Sequence, residues 1–446
     1  MNIRGVAAGL VLACAVVIPA RDGFALDLPA VLAQVAEQNP NLAARAALVD
    51  AAGQRVRTAS VWTGPELMLG VENVPTNPLA FNRDPMTMKT IELRQRIPIA
   101  GTRGLRKDAA GENVTAARSE LTLARWQRWG DAWEAYADAF YENLLANETA
   151  HHHGVMDRIV AAARAQYQSG RGRLDAVLRA ETERARIIAD EAMYRGEEQV
   201  ARARLNALRG IPAAPGETLA AVPMPTVASV EPFLNTTGHP QLAAAEARQR
   251  SYQQTARASR RMRWPDLDLR VMYGFRDEVP VSSTTVHPGG HTVTEYGTEK
   301  LDDMVSASIG FMLPLPTGRG TAEAGEWEAM ARASEAERRE ASFALEQDIR
   351  SAHVTALATE RLAGILADTV LVAGRRAVDA AWVSYEAGTI DLWQVLEASH
   401  ALYEQEIALV NARRTLAHAH ARLVALTGRT ELLGVSVPGA TKEEPR

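Results

Sequence analysis

Ten histidines, one cysteine and many interleaved carboxylates are the side chains of this sequence that could do chemistry. Imidazole binds transition metals and changes charge near neutral pH. His151, His152 and His153 are consecutive. Neighbours on a helix point about 100° apart, so the three cannot serve one ion, and they read as a solvated helix face. His418 and His420 are two apart and do not share a helical face either. His287 and His291 flank Pro288-Gly289-Gly290, a turn-rich stretch that reads as a loop, where they could meet a metal ion. Cys14 sits midway through an apolar run, a poor position for the lipid-bearing cysteine of a lipoprotein. There is no nucleophile-and-base pattern, no phosphate-binding glycine loop and no metal-site spacing. The expectation is a protein that is not an enzyme and carries no cofactor and no resident metal. A net charge of −5, with Arg interleaved among Glu and Asp, gives no reason to expect nucleic acid.

The N-terminus reads as an export signal over residues 1–25. Arg4 supplies the positive start, Gly5 to Ala20 the apolar stretch, and Gly23-Phe24-Ala25 the small residues of a cleavage site. Cleavage after Ala25 would leave a mature chain without cysteine. No other stretch approaches the ~20 apolar residues of a membrane helix. A membrane-inserted mature chain would have to use strands.

The sequence is duplicated. Asn39-Pro40-Asn41-Leu42 and Pro65-Glu66-Leu67 recur 200 residues later as His239-Pro240-Gln241-Leu242 and Pro265-Asp266-Leu267. Tyr167-Gln168-Ser169-Gly170 recurs as Tyr385-Glu386-Ala387-Gly388 at an offset of 218. Leu205, Ala207, Leu208 and Gly210 match Leu423, Ala425, Leu426 and Gly428 at the same offset. The expected layout is a first repeat over 26–210, a Pro- and Ala-rich linker over 211–232, a second repeat over 233–430 and a flexible tail over 431–446. The jump in offset assigns a long extracellular loop to Arg276–Asp303.

Each repeat carries segments of period 2, the signature of a strand with one apolar face. These lie at about 65–98 and about 265–314. Leu67, Leu69, Val71, Leu267, Leu269, Val271, Ile309 and Phe311 fall on the face expected to meet lipid. Glu66, Glu72, Glu92, Arg94, Arg96, Asp266, Asp268 and Arg270 fall on the other, as a water-filled lumen requires. Segments of about 9–11 residues match a membrane-spanning strand. A soluble sheet over a core is the competing reading. Four strands cannot close a barrel, and an open edge is not tolerated in lipid, so closure calls for several copies.

Each repeat also carries a helical hairpin, at about 103–209 and 319–427. No proline interrupts 103–167. Trp126, Trp129, Trp133, Tyr136, Phe140 and Leu144 recur at spacings of three and four, a heptad-like seam. Gly170 and Gly388 are suited to stopping the outgoing helices. The fold class is therefore mostly α with a β-barrel contribution: a duplicated unit of long coiled-coil helical hairpins plus a two-stranded transmembrane β-hairpin.

With these features in place, the chain resembles the TolC-like outer-membrane efflux protein family over nearly its whole mature length. The resemblance rests on the duplicated Asn-Pro and His-Pro starts, on Gln95-Arg96-Ile97-Pro98-Ile99-Ala100-Gly101-Thr102-Arg103, on Leu313-Pro314-Leu315-Pro316-Thr317-Gly318-Arg319, and on Tyr385 to Ala398. The stretch from Asn73 to Arg103 is similar to the heavy-metal branch. The resemblance implies a cell outer membrane location with a large periplasmic portion. It also implies a homotrimer with a twelve-stranded barrel and a helical periplasmic tunnel, an adaptor protein, and an inner-membrane efflux transporter of RND type. Transport would be a passive exit for small toxic solutes or metal ions. By position it places a periplasmic gate near Tyr385, Gly388, Asp391 and Glu397, with Gly170, Arg171 and Arg173 on the other tip. Type I protein secretion, or a soluble periplasmic coiled-coil adaptor or scaffold, are the alternatives.

Overall fold

A computed structural model describes residues 25–77, 79–212, 217–286, 288–312 and 318–437. The export signal before Ala25, with Cys14, lies outside the described residues, as do His287, Leu313 to Thr317 and the tail from Pro438.

Each repeat opens with a helix that the sequence reading did not assign. In the first repeat α1 (Leu28–Gln38) is followed by α2 (Pro40–Ser60). In the second, α5 (Pro240–Arg261) stands where α2 stands in the first. The duplicated X-Pro motif explains why α2 and α5 start where they do. Proline is preorganised for the first helical turn, and the residue before it caps the exposed amides. Asn39 Oδ1 accepts from the amides of Asn41 (3.0 Å) and Leu42 (3.3 Å). His239 Nδ1 accepts from the amide of Gln241 (3.3 Å).

Both capping side chains also reach a second helix end. Asn39 Nδ2 donates to the carbonyl of Leu208 (2.7 Å). Since His239 Nδ1 accepts, its Nε2 carries the proton and donates to the carbonyl of Leu426 (2.8 Å). Leu208 lies in the last turn of α4 (Leu174–Arg209), and Leu426 in the last turn of α8 (Leu392–Thr427). Each repeat thus fastens the start of one helix to the end of its returning helix with one side chain.

The strands are β1 (Glu66–Glu72), β2 (Met88–Ile97), β3 (Asp266–Phe275), β4 (Val279–Val286), β5 (Thr292–Glu299) and β6 (Met304–Met312). The main sheet runs β1-β2-β3-β6, with every neighbouring pair antiparallel. Two hairpins from two repeats therefore merge into one four-stranded sheet. The segment expected to be a loop, Arg276–Asp303, instead holds the β4–β5 hairpin, a separate two-stranded ribbon turning at Pro288-Gly289-Gly290. Its Ser and Thr content suggested a loop, but Thr and Val are β-branched and favour a pleated backbone.

The long helices are α3 (Thr102–Gln168), α4, α6 (Arg319–Ile365), α7 (Leu371–Glu386) and α8. At 67 residues α3 is about 100 Å long. Its counterpart is divided into α6 and α7 by one π turn, Leu366–Val370. The glycines explain the interruption. Gly101 and Gly318, both left-handed, cap the outgoing helices and stand 217 apart; Gly170 and Gly388, also left-handed, end them and stand 218 apart. The second repeat has one residue more between these anchors. A π turn takes up one extra residue without breaking the helix.

Two other expectations are corrected. Residues 217–237 are not a loose linker but a strap across the helices, with Val222, Val227 and Phe233 buried. The strap is stitched to the start of the described chain: Leu26 donates to Thr218 (2.8 Å) and Ala220 to Leu26 (2.9 Å). Nor is the start of the tail free, since Leu433, Val435 and Val437 are buried in the same core. The aromatic seam of α3 receives these segments rather than only a partner helix. Trp129 Nε1 donates to the carbonyl of Leu32 (3.2 Å), and the Tyr136 hydroxyl lies 2.8 and 2.7 Å from the carbonyl oxygens of Leu26 and Ala220.

Candidate functional site

The sheet separates its residues by chemistry across the two faces. Strand register aligns Leu67, Leu93 and Val271 in one row, and Leu69, Ile91 and Tyr273 in the next. Leu267 stands opposite Phe311, and Leu269 opposite Ile309. Leu67, Leu69, Val71, Val271, Ile309 and Phe311 are exposed on this face, with Leu69 at 75%. An apolar face of four strands with no protein cover calls for an apolar medium.

Glu66, Glu72, Glu92, Arg94, Arg96, Asp266, Asp268 and Arg270 line the opposite face. Arg94 Nε lies 2.9 Å from each carboxylate oxygen of Asp268, and Arg270 Nε lies 2.9 Å from Glu92 Oε1. Arg94 also reaches Glu66 (3.9 Å). These pairs tie β2 to β1 and β3 across a charged face on which the five carboxylates outnumber the three guanidiniums. One lysine breaks the pattern: Lys89 falls on the apolar face, but at the strand end, where it pairs with Asp277 (2.8 Å) and sits over Phe81.

The edges decide what this sheet can become. β1 and β6 each pair with one strand among the described residues, so each has a row of unpaired backbone groups. Four antiparallel strands leave edge strands of opposite direction. β6 of one copy can therefore take β1 of another as its next antiparallel neighbour.

At the far end of the helices the two hairpin tips share one turn design. At the first, Gly170 is left-handed and the amides of Arg171 and Gly172 donate to the carbonyl of Gln166 (3.0 Å each). At the second, Gly388 is left-handed and Thr389 donates to Ser384 (2.9 Å). Arg171, Arg173, Asp391 and Glu397 are exposed. Arg173 pairs with Asp175 (2.8 Å), and the Asp391 amide donates to Gln394 Oε1 (3.3 Å). Tyr385 is half-buried against Trp382, in the core behind the tip.

The contact that joins the tips escaped sequence reading. Arg179 of α4 lies over the ring of Trp393 of α8, 5.0 Å from its centroid. It forms one side of a groove of about 470 Å³ that also contains Leu178, Glu397 and His400. Trp393, five residues past the expected helix stop at Gly388, was the available signal.

The histidine triplet is divided by its surroundings. His152 is buried, not solvated, and stacks on Tyr403 of α8 at 4.5 Å between centroids. Burial, then the positive charges of His400 and His151, hold its pKa down to about 4. Tyr194, Asp190 and Arg186 of α4 act electrostatically on Tyr403. The unfolded value is near 6.5, so the folded state binds fewer protons. The stability contributed is complete above about pH 6.5 and is lost as pH falls toward 4, on the order of 3 kcal/mol. In His152→Phe, urea-unfolding stability should fall less steeply over that interval than in the parent; an unchanged slope would exclude His152 as a source.

Residues 236–429, covering most of the second repeat, match the family model described as outer membrane efflux protein. Over its second repeat the chain carries the pattern of the outer membrane efflux protein family. It is an outer-membrane efflux channel subunit with a periplasmic portion, and its relatives by family are channel proteins rather than enzymes. No curated protein sequence matches the chain. Solved structures of similar fold include the outer-membrane protein VceC from Vibrio cholerae (TM-score 0.72, 19% identity, 90% of this chain and 96% of that one). The CmeC outer-membrane channel of Campylobacter jejuni gives 0.71 at 13% identity, covering 90% and 85%. The MtrE outer-membrane channel of Neisseria gonorrhoeae in its open state gives 0.68 at 17% identity, covering 90% and 88%. Efflux proteins of this TolC-like fold combine a helical tunnel with a β-barrel. No helix among the described residues is long and apolar enough to cross a membrane.

Proposed function

We propose that three copies of this chain form the passive exit duct of a tripartite efflux pump for small toxic solutes or metal ions. The observation that carries this is the incomplete sheet: four strands, two open edges of opposite direction, one apolar and one charged face. Three copies give a closed barrel of twelve strands, with the charged face inward. An adaptor protein in the periplasm and an inner-membrane transporter of RND type complete the machine and supply its energy. The tips, with Arg171, Arg173, Asp391 and Glu397 exposed, are the proposed gate. The duplicated layout supports treating 26–210 and 233–430 as its two structural units.

The test is a deletion strain exposed to panels of organic toxins and metal salts. The proposal expects sensitivity to at least one panel, restored by the parent gene. Wild-type resistance with loss of one secreted protein would indicate type I secretion instead.

A further inference from the structure

We propose that Glu134, Asp138 and His418 form a binding site for a divalent transition-metal cation of the zinc type, clipping α3 to α8. Glu134 and Asp138 stand one helical turn apart on α3, a spacing that puts both carboxylates on one face. His418 comes from α8, 280 residues after Asp138, and its Nε2 lies 2.7 Å from Asp138 Oδ1. One ligand atom from each of the three lies within 4.8 Å of the others. A tetrahedral ion with bonds near 2.0–2.1 Å holds its ligands about 3.3 Å apart, so small side-chain rotations suffice. All three are half-buried, which restrains the side chains and leaves an open fourth position for water. One imidazole and two carboxylates suit zinc and its neighbours; magnesium prefers oxygen ligands and keeps its water.

The neighbouring rungs of the same interface sharpen the inference. One turn further along α3, Glu142 pairs with Arg414 of α8, which stands one turn from His418. An arginine there meets the carboxylate directly. At the next rung α8 presents an imidazole instead. Arg204 of α4 approaches the pair of carboxylates, but only to 3.4 Å from Glu134 and 3.7 Å from Asp138. Its guanidinium is a competitor for the same carboxylates, held looser than His418.

Isothermal titration of the purified full-length protein in detergent, with zinc chloride and with magnesium chloride, tests the site. Expected is one saturable zinc site per chain and none for magnesium. His418→Ala and Asp138→Asn should each weaken zinc binding at least tenfold, while melting temperatures without metal confirm that both variants fold. Arg204→Gln should tighten zinc binding by removing the competing cation. His418→Gln serves as a second variant if the alanine form does not fold, with the same loss expected. No saturable zinc binding, or equal affinity in the His418 variants, would overturn the site. So would an Arg204→Gln variant that gains nothing, since the four side chains would then be an ion-pair network only.

Discussion

Leu269→Arg abolishes recovery of a detergent-stable assembly from the outer membrane. Leu269 lies near the middle of β3, opposite Ile309 and Gln95, on the apolar face. An arginine at the bilayer midplane of a β-barrel costs roughly 2–4 kcal/mol. In the proposed trimer the cost arises once per copy around one ring, and no neighbour on that face offers a carboxylate. Ser308→Arg is the matched control. Ser308 stands opposite Arg270 on the charged face, where an added arginine faces the proposed aqueous lumen rather than lipid. The control should assemble. The measurement is the yield of heat-sensitive oligomer on electrophoresis after extraction from isolated outer membranes. Normal yield of Leu269→Arg would place the face in water rather than lipid.

Gly428→Ala unfolds the helical end of the second repeat and lowers stability by about 2–5 kcal/mol. Gly428 ends α8 in a left-handed conformation (φ 67°), which costs a side-chain-bearing residue about 1–2 kcal/mol. A Cβ there would also fall 2.2 Å from the Trp126 ring, and overpacking of this kind costs about 1–3 kcal/mol. Trp126 is not free to retreat. It packs edge-on against His239, at 5.3 Å, and His239 is the side chain that caps α5 and holds the Leu426 carbonyl. Gly434→Ala separates the two causes. It has a similar φ of 69°, yet nothing lies within 4 Å of the added carbon. It should lose only the backbone share. Urea unfolding followed by tryptophan fluorescence measures both; equal losses would show that Trp126 does not resist the methyl.

The parts of this molecule that repeat at a short period were visible in the sequence. Alternation assigned Leu67, Leu69 and Val71 to one face of β1 and Glu66 and Glu72 to the other, because a pleated backbone has no other way to point them. The paired glycines at 170 and 388 marked the helix stops for a similar reason. What depends on distant segments was not visible. Nothing local to 217–237 says that Val222 and Val227 are buried, or that the Val227 carbonyl meets His353 of α6. His152 is one of three consecutive histidines, and its stacking on Tyr403 of α8 is a contact that no local spacing foretells. The β4–β5 ribbon was hidden by composition, since Ser and Thr serve loops and exposed strands alike. Arg179 over Trp393 and His418 beside Asp138 join helices far apart in sequence, and no spacing rule reaches that far.

Single cysteines placed on β1 and β6 test directly whether neighbouring copies complete the sheet. In a Cys14→Ala background, free of other cysteines, a panel pairing Met68→Cys or Gly70→Cys with Ser306→Cys or Ser308→Cys would be oxidised in intact outer membranes and separated under denaturing conditions. The account predicts, for at least one pair in register, a ladder of cross-linked chains that ends at three. A ladder ending at two, or cross-links confined to single chains throughout the panel, would contradict it.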